Sequence, residues 1–239
     1  RRAQEVNSPY MSSNDEDEDS FDEAEPHRPR NSIYISSPSP SPFHNKQARQ
    51  EQSYDYSKYW EFKSSSGGLV SAMKGLKGIE MLKVGWPGTE VHDANERAFI
   101  CKKLEADKCV PVFLEESLAD DYYNGFSNDV LWPLFHYIQP TIKVIQAAQK
   151  WWRAYEIVNN EFAQAVIRVY KPGDIIWIHD YHLFLVPRLL RAAIKDIKIG
   201  FFLHIPFPSS ELFKVLPWRT ELLHGVLSAD LIGFHTHDY

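Results

Sequence analysis

Two cysteines, Cys101 and Cys109, are too few in 239 residues for a disulfide framework. No apolar run approaches the ~20 residues that cross a bilayer. No secretory h-region is present either. These absences point to a soluble, cytoplasmic protein in a reducing compartment. Buried thiols are the expected state of both cysteines. Basic residues are not in excess: 26 Lys+Arg stand against 32 Asp+Glu, a net charge of −6. That argues against nucleic acid as the main partner. The Gly-x-Gly-x-x-Gly dinucleotide fingerprint is missing, which disfavours an NAD enzyme. No nucleophile elbow occurs, which disfavours a hydrolase built on His179 and Asp180. No helical His-x3-His pair or fixed cysteine set occurs, so a metal site at His179, Asp180, His182 and His204 is disfavoured. No internal repeat is visible.

What is present divides the chain in two. Residues 1–56 carry "SSNDEDEDSFDEAEPHRPR", then "SSPSPSP", then "NKQARQEQ". Such acidic, Ser/Pro-rich composition does not offset the entropy of ordering, and a disordered tail is expected. Its steps Ser37-Pro38, Ser39-Pro40 and Ser41-Pro42 are candidate phosphorylation sites or plain solvated chain. Residues 57–239 are the globular part, and 44% hydrophobic residues over the whole chain suffice for a core. Both chain ends read as cut from something longer.

Within 57–239 the pattern alternates. "EMLKVGW" reads as a strand with a turn at "WPGTE". "DANERAFICKKLEA" reads as a helix capped by an Asp, and "CVPVFL" as a short strand. "ESLADDYYNGFSNDVLWPLFHY" starts helical and breaks near Gly125 and Pro133. "VIQAAQKWWRAYEIVNNEFAQAVIRVY" is a long helix. Trp151, Tyr155, Val158, Phe162 and Val166 form its buried stripe. Lys171-Pro172-Gly173 ends it. "DIIWIH", "IKIGFFLH" and "DLIGFH" are strands separated by helices, with Pro187 a kink or start signal. Alternation of this kind predicts an α/β fold with a parallel, doubly wound sheet.

Two of those strands end in histidine, at His179 and His204. The carboxyl ends of parallel strands open into the ligand crevice. The polar knot His179-Asp180-Tyr181-His182 therefore falls at a site, between apolar runs that wall it. Asp180 can equally cap the helix that follows, and His182 can be a satisfied core histidine. "YYNGFSNDVLWPLFHY" adds Tyr, Asn and Trp, residues suited to a hydroxyl-rich ligand. In "SSSGGL", Gly67 and Gly68 precede helical residues and can offer main-chain N–H groups to a phosphate.

Six motifs occur in order: "SSGGLVSA", "GWPG", "YYNGFSNDVLWPLFHY", "IWIHDYHLFLVPRLLR", "GFFLHIPFPSSELFKVLP" and "LLHGVLSADLIGFHTHDY". Together they resemble the trehalose-6-phosphate synthases, the family 20 glycosyltransferases, fungal forms in particular. The resemblance runs from about Glu61 to Tyr239. It implies the N-terminal Rossmann-like domain of a GT-B glycosyltransferase, with the C-terminal nucleotide-sugar domain lying outside this chain. It implies retaining transfer of glucose from UDP-glucose to glucose 6-phosphate, with no metal and no cofactor. By the same resemblance, Gly67 and Gly68 approach the donor diphosphate, and Tyr123 and Trp132 contact the acceptor. Asp180 holds acceptor hydroxyls at the reacting centre, and His204 contacts the donor glucose. An Arg and Lys pair of the other domain would stabilise departing UDP.

One departure stands out. The family opens with a strand and Ser-Asn-Arg-Leu-Pro, whose arginine binds the acceptor phosphate. Here the nearest run before "SSSGGL" is "SIYISSPSPSP", Ser32 to Pro42, with no arginine. The opening strand is expected to be lost or degenerate. That, with the acidic tail, keeps a second reading open: a non-catalytic subunit of a trehalose synthase complex, or the synthase-like part of a synthase–phosphatase chain.

Overall fold

The computed structural model describes residues 2–6, 34–36, 55–63 and 80–237. Six strands form one sheet: β1 (Arg2–Val6), β4 (Glu80–Gly85), β5 (Cys109–Pro111), β6 (Ile175–His179), β7 (Lys198–Phe202) and β8 (Leu231–Gly233). Their spatial order is β5-β4-β1-β6-β7-β8 and every pairing is parallel. In order of appearance within this sheet that is 3-2-1-4-5-6, the order of a doubly wound Rossmann sheet. The expected α/β class is therefore observed. Two further strands, β2 (Tyr34–Ser36) and β3 (Glu61–Lys63), pair antiparallel on their own.

The start of the chain departs from expectation. Arg2–Val6 is a central strand, flanked by β4 and β6, although it lies inside the stretch read as tail. Tyr34–Ser36, the expected candidate for the opening strand, belongs to the small sheet instead. The opening strand is thus present, and Asn7-Ser8-Pro9 follows it in sequence without an arginine. Those two strands correct the tail reading where they fall. Apart from Asp55 and Tyr56, the rest of 1–56 lies outside the described residues, the Ser-Pro steps included.

Helices cover the sheet. α1 (Ala94–Ala106) is capped by Asp93, whose carboxylate accepts from Glu96 N–H at 2.8 Å. α2 (Glu116–Asp120) runs into a π-helix at Asp121–Leu131 and then α3 (Trp132–Phe135). The break expected near Gly125 does not occur. Trp132 N–H instead bonds five residues back to Ser127 C=O, so the turn widens without ending. Gly125 serves packing: a Cβ there would meet the Trp151 ring at 2.5 Å. Pro133 opens α3 rather than breaking the helix.

α4 (Ile142–Val169) is the longest helix, and α5 (Val186–Ala193), α6 (Ser210–Phe213) and α7 (Arg219–Val226) follow. Pro187 lies in the first turn of α5, so it is a start signal. The buried stripe of α4 holds Trp152, Tyr155, Val158, Phe162 and Val166. Trp152, not Trp151, is the buried indole, stacked on Trp218 at 5.4 Å. β6 buries Ile176 and Ile178 on one face, while on the other Ile175 and Trp177 are exposed and only His179 is buried. Cys109 is buried as expected, while Cys101 is exposed on α1.

Candidate active site

Because the sheet is parallel, the carboxyl ends of its strands lie along one edge. Strand order reverses between β1 and β6, and ligands of open α/β sheets bind outside such a switch point. His179 ends β6 there, and Asp180 follows. In β7, Phe202 pairs with His179, so His204 lies two residues beyond, on the neighbouring strand. Asp180 N–H still donates to Phe202 C=O at 2.8 Å, one step past the strand.

Asp180 then leaves the sheet abruptly. Its backbone sits at φ 71°, ψ 166°, a region adopted almost only by glycine, at a cost of about 1–3 kcal/mol for other residues. The residue is 4% exposed. One carboxylate oxygen, Oδ1, accepts from Tyr181 N–H at 3.0 Å and from His204 N–H at 3.4 Å. The first bond caps the 3-10 turn Tyr181–Leu183, so the capping expectation is met. The second bond reaches another strand, which a cap does not require. Both fall on Oδ1 rather than Oδ2. Burial pushes the carboxyl up to about 7, against the two N–H bonds that pull it down. Near neutral pH this group can therefore both accept and release a proton.

The turn carrying Asp180 is held from α4. Tyr155 O–H donates to Tyr181 C=O at 2.6 Å and accepts from Phe184 N–H at 3.1 Å. One helical turn on, Asn159 Nδ2 donates to His182 C=O at 3.0 Å, and its Oδ1 accepts from Leu185 N–H at 3.1 Å. Tyr122 O–H adds a bond to His182 C=O at 3.2 Å. Each such main-chain group, left unpaired in the core, would cost about 1–3 kcal/mol.

Aromatic rings complete the wall. Tyr123, half-buried on the π-helix, stacks on His182 at 5.5 Å and 16°. Trp132 lies 5.9 Å from the Tyr181 ring and 4.0 Å from that of His136. Tyr181 O–H donates to Asn128 Oδ1 at 3.2 Å. His182 is fully buried with neither ring nitrogen bonded, and burial depresses it to about 3, so it is a neutral core ring. His179 Nδ1 and His204 Nε2 are 3.0 Å apart and share a hydrogen bond. Burial, then the neighbouring His179 and His235, lower His204 to about 3. It enters the crevice uncharged, a ring that can donate or accept without placing charge there.

The structure thus gathers Tyr123, Trp132, Asp180 and His204 around one turn. Gly67 and Gly68 lie outside the described residues. Among the described residues no group of three or more His, Cys, Asp or Glu is arranged to hold a metal ion. No helix there is long and apolar enough to cross a membrane. Sequence reading missed the roles of Tyr155, Asn159, Tyr122 and Asn128. A signal existed for Asn159: an amide four residues after Tyr155, on the apolar face of a long helix.

Comparison with known proteins extends this picture. The glycosyltransferase family 20 model matches residues 37–239. The alpha,alpha-trehalose-phosphate synthase [UDP-forming] of Schizosaccharomyces pombe is 50% identical over 187 residues. That match covers 75% of this chain and 36% of the relative, so the chain spans little over a third of that relative's length. Among solved structures, the N-terminal domain of Candida albicans trehalose-6-phosphate phosphatase is similar at 41% identity and TM-score 0.62, covering 70% of this chain and 36% of that one. The Burkholderia xenovorans alpha,alpha-trehalose-phosphate synthase (UDP-forming), in complex with glucose-6-phosphate, is similar at 32% identity and TM-score 0.56, covering 72% and 38%. The strand order and these neighbours make the described unit the N-terminal, Rossmann-like domain of a GT-B fold. With the family model matched over most of its length, the chain belongs to glycosyltransferase family 20.

Proposed function

We propose that the protein is an alpha,alpha-trehalose-phosphate synthase (UDP-forming). It would move glucose from UDP-glucose to glucose 6-phosphate with retention, as a cytoplasmic enzyme without a metal or other cofactor. The observation that carries this reading is Asp180: buried, strained, at the switch point, with both N–H bonds on one carboxylate oxygen. On this reading Asp180 binds acceptor hydroxyls, and Tyr123 and Trp132 line the acceptor side. His204 faces the donor glucose, and Gly67 and Gly68 meet the donor diphosphate. The acceptor O1 forms a bond to the donor anomeric carbon as that carbon's bond to UDP breaks. The hydroxyl proton passes to the departing phosphate oxygen on the same face. Holding those atoms close is the main contribution of this domain, and it agrees with the name shared by the S. pombe relative.

A second reading has its own support. The similarity to the N-terminal domain of a phosphatase, and the missing arginine after β1, fit a synthase-like part that binds without transferring. It would serve in a trehalose synthase complex or a synthase–phosphatase chain. The full-length protein, given UDP-glucose and glucose 6-phosphate, decides between them. The first reading expects UDP release and trehalose 6-phosphate, reduced about 100-fold by Asp180→Asn as the acceptor loses its placement. Binding of glucose 6-phosphate with no UDP release selects the second.

A further inference from the structure

We infer that Tyr155 and Asn159 of α4 are positioning residues for Asp180, acting through the turn that carries it. The inference rests on the proposed reading of Asp180 as a substrate-binding group. Its basis is how the turn is built. β7 runs on past its end by main-chain bonding, with Leu203 N–H bonded to Gly233 C=O at 3.0 Å. β6 gains one such bond, Asp180 N–H to Phe202 C=O at 2.8 Å, and there Asp180 turns the chain away from the sheet through its positive φ. The main-chain groups of Tyr181, His182, Phe184 and Leu185 are met instead by two side chains one helical turn apart. Each of the two supplies one donor and one acceptor, a combination that Leu or Phe would not provide and that the shorter Ser side chain would not carry as far. Both are fully buried, so no water replaces them. Asn159 Nδ2 is further fixed by Tyr155 C=O at 2.9 Å. The turn is thereby pinned to a rigid 28-residue helix, and with it the strained backbone of Asp180. Tyr122 adds a third contact from the π-helix. The same π-helix also carries Tyr123.

The informative variant is Tyr155→Phe in the full-length protein. It removes one hydroxyl and keeps the ring packed between Phe126, at 4.8 Å, and Trp152, at 5.7 Å. Should it not fold, Asn159→Ser takes its place. Two readouts are taken. The first is steady-state kinetics for both substrates. The second is the titration of the Asp180 carboxyl, followed by carbon NMR in labelled protein and assigned with Asp180→Asn. If the native protein turns over, kinetics decide. The expected result is kcat down about tenfold or more, KM for UDP-glucose within twofold, and a displaced pH profile. A lowered melting temperature with kcat, both KM values and the pH profile intact overturns the inference. If the native protein does not turn over, the proposed activity fails and the titration decides alone. A carboxyl that moves toward the ordinary range, as water reaches a loosened turn, supports the inference. A carboxyl that titrates as in the native protein overturns it.

Discussion

The ends of β6 and β7 look alike in sequence and are built differently. Each is an apolar run closing on a histidine, at His179 and His204. Beyond β7 the chain stays bonded to β8 through Leu203, and no residue from Leu203 to Phe207 has a positive φ. Beyond β6 it turns at once through a positive φ, and the turn is supported by side chains of α4. Main-chain support is insensitive to which residues are present. Side-chain support is not, so the function of the β6 end is the more easily lost and the more easily adjusted. The two ends meet at several bonds, and in one of them, His204 N–H to Asp180 Oδ1, the main chain beyond β7 serves the carboxylate beyond β6.

The largest expected effect follows from that asymmetry. Asp180→Ala in the full-length protein should lower kcat by about 10²-fold or more, because the acceptor hydroxyl is no longer held against the anomeric carbon. His204→Ala keeps the main-chain N–H that reaches Asp180, and should cost about tenfold. UDP release measured for both variants checks the ratio. Equal losses would remove the distinction between the two strand ends.

Stability should respond in the opposite direction. Asp180 is raised from 3.8 to about 7, so the folded state holds this proton where the unfolded chain has released it. Its contribution favours folding at low pH and is lost as pH rises from about 4 to about 7. The buried histidines run the other way. His182 and His204, lowered from 6.5 to about 3, favour folding above about 6.5 and lose that contribution as pH falls. Asp180→Asn removes only the first dependence. Relative to the native protein, the variant should gain on the order of 4 kcal/mol between pH 4 and pH 7. Urea titrations at both pH values test it, and a difference that does not change with pH would mean the carboxyl is solvated.

Strain gives a smaller effect. Glycine tolerates φ 71° and alanine does not, so Asp180→Gly should be more stable than Asp180→Ala by about 1–3 kcal/mol, though glycine ordinarily loses about 0.5–1 kcal/mol to alanine. The reverse order in urea denaturation would place no strain at the β6 end. Neither variant is expected to be active, so the comparison isolates the backbone from the carboxylate.

How much of this was legible in the sequence differs by region. The tops of β6 and β7 were readable because apolar runs stop abruptly at His and Asp, and strand ends in a parallel sheet face a crevice. The central strand Arg2–Val6 was not, since R-A-Q-E-V offers two apolar residues and no run. The choice between Trp151 and Trp152 turned on helix phase, and the stripe fitted either until Trp218 stacked on the second. Asn159 was invisible as a clamp because its partners lie 23 and 26 residues away. No local pattern marks a side chain that satisfies another segment's backbone.

The smallest effect concerns the wall above the β6 turn. Trp132 is half-buried, against the Tyr181 ring at 5.9 Å and His136 at 4.0 Å. It leans on the β6 turn through the Tyr181 ring. Trp132→Phe keeps an aromatic face while withdrawing the indole N–H and part of the surface. If Trp132 lines the acceptor side, KM for glucose 6-phosphate should rise about three- to fivefold, close to 1 kcal/mol. KM for UDP-glucose should stay within twofold, because the donor would lie toward His204 at the β7 end. Initial rates with each substrate varied in turn make the measurement. A rise in both KM values would assign Trp132 to the shared floor of the crevice. A loss of melting temperature with both KM values unchanged would return it to the core, as a ring that only steadies Tyr181.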